Sequence, residues 1–110
     1  MSELSEKKCL PCEGGVPALA KDQVLKLLKE IPGWEVAKDK SYIERNFQFK
    51  NFYHTMAFVN AIAWIANREN HHPDLQVGYN YCRVRYSTHA VKGLTENDFI
   101  CAAKIDKLHD

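Results

Sequence analysis

Three imidazoles and a carboxylate fall in the C-terminal half of this chain, in the order His71-His72-Pro73, Tyr79, Ser87-Thr88-His89 and Asp98. Histidine is the side chain whose unperturbed pKa lies nearest neutral pH, so a cluster of imidazoles can both give and take protons on a bound molecule without a cofactor. A metal site is the competing chemistry for such a set. Both metal versions are incomplete here. Adjacent His71 and His72 would point in different directions, and Cys9-Leu10-Pro11-Cys12 has the spacing of half a tetrahedral zinc site but no obvious second pair nearby. Nor is the segment after Cys12, Glu13-Gly14-Gly15, the helix start that lowers a thiol pKa in redox pairs, so residues 1–15 read as an N-terminal arm, flexible or lying over the domain.

The elements that must position these groups follow from apolar periodicity. Val24, Leu27, Leu28 and Ile31 recur at helical spacing until Pro32-Gly33 stops them, and Trp34 and Val36 open a short strand. Ile43, Phe47 and Phe49 alternate with Glu44, Asn46 and Gln48, a half-buried strand in which Arg45 is the exception on the apolar face. Asn51 is placed to cap a long central helix with an apolar stripe of Phe52, Met56, Val59, Ile62, Ala63 and Ala66, limited by Pro73. Leu75, Val77 and Tyr79 alternate, as do Cys82, Val84 and Tyr86, and a two-residue turn at Asn80-Tyr81 would put both sets on one sheet face. Thr95 and Asp98 have capping-box spacing for a last helix carrying Phe99, Ile100, Ala103 and Leu108. The order α-β-β-α-β-β-α predicts an α+β fold: a four-stranded antiparallel sheet with three helices packed on one face. The end of the central helix and the end of the last strand would then meet at one sheet edge and bring the histidines together.

Composition bounds the function. With 110 residues, 45% apolar and 26% charged, the chain reads as one domain over residues 16–110. A net charge of +1, from 15 basic and 14 acidic side chains without a dense basic block, lacks the footprint of direct nucleic-acid binding. The longest apolar run, Met56 to Ala66, is broken by Asn60 and is shorter than the roughly 20 residues of a membrane span. No secretory signal is read, so a cytoplasmic location and reduced cysteines are expected, with Cys82 and Cys101 acting as small core residues.

Gly33-Trp34, the run Phe47-Gln48-Phe49-Lys50-Asn51-Phe52, His71-His72-Pro73, Tyr79, Ser87-Thr88-His89, Gly93-Leu94 and Asp98, taken in that order, resemble the pterin-4a-carbinolamine dehydratase family. The resemblance implies removal of water from a 4a-hydroxytetrahydropterin to give quinonoid dihydropterin, with the pterin as substrate and no cofactor or metal. It assigns His71 and His89 to proton transfer and His72 to binding and orientation, with Asn67, Asn70, Pro73, Ser87, Thr88 and Trp34 around the substrate and Asp98 in support. It also implies a homodimer or homotetramer and a functional link to an aromatic amino acid hydroxylase. Animal relatives act in addition as dimerisation partners of a homeodomain transcription factor.

Each residue also has a blander reading. His72 could cap helix carbonyls, His89 could be a loop residue, Trp34 reads first as core, and Asp98 reads first as the cap of its own helix. One departure from the family pattern stands out: relatives carry an acidic residue where this chain has Asn67, and its nearest acid is Glu69. If the helix ran on to His71, position 67 would share its face and position 69 would point elsewhere, leaving Asn67 to offer a hydrogen bond without charge.

Overall fold

The computed structural model describes residues 3–10 and 18–109. The elements are α1 (Lys21–Leu28), β1 (Glu35–Val36), β2 (Ile43–Gln48), α2 (Phe52–Glu69), β3 (Asp74–Val77), β4 (Tyr81–Tyr86) and α3 (Glu96–His109), with short 3₁₀ turns at Glu3–Glu6 and His89–Val91. The sheet order is β1-β2-β4-β3 and every neighbouring pair is antiparallel. This is the α+β architecture that the alternating patterns predict.

Register fixes which side chains meet the helices. Ile43 pairs with Tyr86, Arg45 with Val84 and Phe47 with Cys82, so the buried residues of β2 and β4 lie on one face, while Glu44, Asn46, Arg83 and Arg85 occupy the other. Arg45, the exception in the β2 pattern, is accounted for on the apolar side. Its Nη1 lies 2.8 Å from Asp106 Oδ1 of α3, and its guanidinium sits 4.5 Å from the centre of the Phe47 ring.

α2 begins where Asn51 Oδ1 accepts the His54 N–H at 2.9 Å, as expected of a cap. Its core stripe differs from the predicted one: Thr55, Phe58, Ile62, Ile65 and Ala66 are buried, whereas Phe52 is 50% exposed and Ala63 is also exposed. The helix is apolar on much of its circumference, and a polar residue at position 55 argued for the wrong side. Thr55 is tolerated in the core because its hydroxyl meets two carbonyls, Asn51 O and Tyr79 O, each at 2.9 Å.

The β3–β4 turn is centred one residue earlier than predicted. Val77 pairs with Cys82 and the Gly78 N–H reaches Tyr81 O at 3.0 Å, so Tyr79-Asn80 form the turn. The pairing thereby slips by two residues, an even shift that keeps Leu75 and Val77 on the face of Val84 and Cys82 as predicted, whereas Tyr79 leaves the strand for the turn and is exposed. α1 stops at Leu28, short of Ile31, yet Ile31 still reaches the core from the following turn and is 1% exposed. Part of the N-terminal arm is docked: Leu4 is 2% exposed within the main hydrophobic cluster. Cys12 and Gly14-Gly15 lie outside the described residues.

Candidate active site

His71 owes its position to the way α2 ends. Asn70 adopts the left-handed conformation (φ 53°), its N–H reaches Asn67 O, and the His71 N–H reaches back to Ala66 O at 3.1 Å. This pair of bonds is a Schellman motif, in which asparagine stands in for the usual glycine. The chain therefore leaves the helix before His71, and the imidazole turns inward. Its side chain is 11% exposed, and its ring stacks on Tyr86 of β4 with centroids 5.4 Å apart and planes 8° from parallel.

Behind that ring stands Asp98, fully buried. One carboxylate oxygen, Oδ1, accepts from His71 Nε2 at 2.6 Å; the other accepts the Thr88 hydroxyl at 2.8 Å and the Thr95 N–H at 3.0 Å. Asp98 is thus the helix cap predicted and also the partner of His71, which the reading of it as chiefly a cap missed. With the Thr88 proton donated to Asp98, Thr95 is the donor in the 2.9 Å contact between the two threonine hydroxyls. Burial pulls the His71 pKa down, but the hydrogen bond and charge of Asp98, with a smaller contribution from Cys101, outweigh it and hold the imidazole above its ordinary value.

A cavity of about 660 Å³ opens in front of this network. It is lined by His71, His72, His89, Asn70, Ser87 and Thr88, so six of the predicted site residues meet at one place, drawn from the end of α2 and the segment after β4. Of the other four, Asp98 stands behind the His71 ring, and Trp34, Asn67 and Pro73 do not line the cavity. Trp34 is 3% exposed in the core, donating its indole N–H to Asp106 at 2.8 Å, because the apolar face of β2 and β4 claims its ring. Asn67 is exposed on α2, and Pro73 is half-buried beyond the wall.

Glu69 lines the cavity instead of Asn67, which corrects the expectation drawn from an unbroken helix. Since the helix terminates at Asn70, spacing of four no longer selects the acidic neighbour of His71. The stop signal was present in the sequence: asparagine before His-His-Pro is a residue that readily takes the left-handed conformation. The Glu69 side chain is 6% exposed, accepts the Cys9 N–H at 2.9 Å and lies 4.0 Å from Lys104.

The arm supplies the remaining wall, with Cys9 and Leu10 lining the cavity beside Asn97. Asn97 pairs with Leu10 much as a neighbouring strand would, its Oδ1 accepting the Leu10 N–H at 3.0 Å and its Nδ2 donating to Leu10 O at 2.6 Å. No periodicity argument could have found this wall, because the contacts join positions 87 residues apart. Among the described residues no group of three or more His, Cys, Asp or Glu side chains is arranged to hold a metal ion. No described helix is long and apolar enough to cross a membrane.

Comparison with known proteins follows the same lines. Residues 17–108 match the family described as "Pterin 4 alpha carbinolamine dehydratase". A Legionella pneumophila protein provisionally named a pterin-4-alpha-carbinolamine dehydratase is 66% identical over 108 residues, covering 97% of this chain and 96% of the relative. A Nitrosomonas europaea protein with the same provisional name is 61% identical over 107 residues, covering 96% and 93%. The crystal structure of a "transcriptional coactivator/pterin dehydratase" from Brucella melitensis superposes with a TM-score of 0.81 at 29% identity, over 84% of this chain and 99% of that one. A pterin dehydratase-like protein identified as a RuBisCO assembly factor in the alpha-carboxysome shares the fold, with a TM-score of 0.61 at 22% identity over 69% and 88%. Matched along almost its whole length and folded in the same way, the chain belongs to the pterin-4a-carbinolamine dehydratase family.

Proposed function

We propose that this protein dehydrates a 4a-hydroxytetrahydropterin to quinonoid dihydropterin in the cavity in front of Asp98. In that reaction the C4a–O bond breaks and the hydroxyl leaves as water. The electron pair of the departing N5–H bond forms the new N5=C4a double bond, so the step needs one proton donor and one acceptor. No redox group takes part.

The observation that carries the reading is the grouping of His71, His72 and His89 around one cavity, with His71 held by a buried carboxylate. Asp98 favours the protonated form of His71, which suits it to donate to the leaving oxygen. Its Nε2 is engaged with Asp98, so the exchanging atom is Nδ1. His89, exposed in the same lining, is assigned to the N5 proton, and His72 to orienting the ring. Thr88 spends its hydroxyl on Asp98 and acts by holding that carboxylate, whereas Ser87 and Asn70 offer polar groups to the pterin.

The test is direct. Purified protein mixed with freshly generated 4a-carbinolamine should speed the appearance of the quinonoid product, followed by absorbance, without added metal. Folded protein that leaves the rate at its buffer value rejects the assignment. The same reading makes the protein a cytoplasmic partner in tetrahydropterin recycling for an aromatic amino acid hydroxylase, and a homodimer or homotetramer. The partly exposed Leu75 and Val77 of edge strand β3 favour association, and a light-scattering mass equal to one chain would oppose it.

A further inference from the structure

Cys9 and Cys101 stand 92 positions apart in the chain, yet their sulfur atoms approach to 3.4 Å. Cys101 is fully buried in α3, three residues after Asp98, while Cys9 is half-buried and lines the cavity. The approach is imposed by the surroundings. Glu69 holds the Cys9 N–H, Asn97 holds both backbone groups of Leu10, and Leu4 is anchored in the core.

We propose that Cys9 and Cys101 form a reversible intramolecular disulfide that fastens the N-terminal arm to α3 at the cavity wall, with a peroxide or a small-molecule disulfide as oxidant. With peroxide, a thiolate sulfur attacks the O–O bond and becomes a sulfenic acid, and the other oxygen leaves as water after taking a proton. The second sulfur then displaces the sulfenic hydroxyl as another water, and the S–S bond forms. Two thiol hydrogens and two electrons have passed to the peroxide. The sulfurs must close from 3.4 Å to about 2.05 Å.

The chemistry of the pair suits this step. The hydrogen bond with Cys9 lowers the Cys101 pKa against the effect of burial, with help from the charge of His71, and the same interaction raises Cys9, so Cys101 is the readier of the two to give up its proton. Burial pushes the thiol of Cys82 up to about 11, which disfavours it as a competitor.

The experiment uses the full chain treated with hydrogen peroxide or oxidised glutathione, followed by thiol titration and non-reducing peptide mapping. Wild type should lose two of its four thiols and about 2 Da, and dithiothreitol should restore both. Tryptic peptide 9–21 should be joined to peptide 93–104. Cys12→Ser should keep that bridge, whereas Cys9→Ser and Cys101→Ala should abolish it. Retention of all four thiols in wild type overturns the proposal, as does a Cys9–Cys12 bridge or a bridge that persists in Cys9→Ser. None of these readouts depends on dehydratase activity.

Discussion

Two adjacent residues of α3 support the same cavity by different means, Asp98 from behind the His71 ring and Asn97 from the lining itself. Asp98 faces inward and gathers His71, Thr88 and the Thr95 N–H around a buried carboxylate. Asn97 faces the arm and uses a neutral amide to hold the backbone of Leu10. The inner wall rests on a fully buried charge, where a missing partner is expensive. The arm wall rests on uncharged hydrogen bonds from buried Asn97 to the backbone of exposed Leu10, where water can replace what the arm loses. A single helix start therefore carries one surface built on a buried charge and one built on neutral hydrogen bonds.

The difference is broken most severely at Asp98. Asp98→Ala strands three donors in the interior and should reduce stability by about 3–5 kcal/mol, measured by urea unfolding. A loss below about 1 kcal/mol would show that the carboxylate is not the keystone of that wall. Next, His71→Ala should lower the dehydration rate by about 10²- to 10⁴-fold, the range for a positioned proton-transfer group, while the fold survives by circular dichroism. Activity within twofold of wild type would remove His71 from the chemistry.

A pH series sharpens the comparison. The folded pKa of His71 is raised above its unfolded value, because Asp98 outweighs the opposing effect of burial. The stability due to this group is therefore fully present below the ordinary imidazole pKa and is lost as pH rises through the raised value. Urea midpoints should fall across that window in wild type, and Asp98→Asn should flatten the slope; an unchanged slope in the variant would assign it to another group. The smallest effect belongs to the arm. Asn97→Ala should cost about 1 kcal/mol and increase hydrogen exchange at residues 3–10 while leaving β2 and β4 protected. Exchange that rises equally in the sheet would mean that the two walls are one cooperative unit.

Elements and faces were legible in the sequence because they depend on local periodicity, which is why β2, β4 and the register-independent faces of the hairpin came out as read. The α2 stripe did not, since Thr55 looks polar until the carbonyls of Asn51 and Tyr79 are seen to satisfy it. Trp34 read first as core and only then as cavity wall, and the apolar side of the sheet took it. Glu69 was hidden by an assumption of helical continuity that Asn70 interrupts.

What the residues by themselves determined is the fold class and the segments that carry His71, His72 and His89, because strand alternation, helix caps and a Pro stop act over a few neighbouring positions. Only tertiary structure decided which groups face those imidazoles. Asp98 against His71, Glu69 and Asn97 against the arm, and Cys9 against Cys101 are pairings across 27 to 92 positions. No local rule ranks such pairings, since burial and charge compensation exist only once the chain has closed on itself.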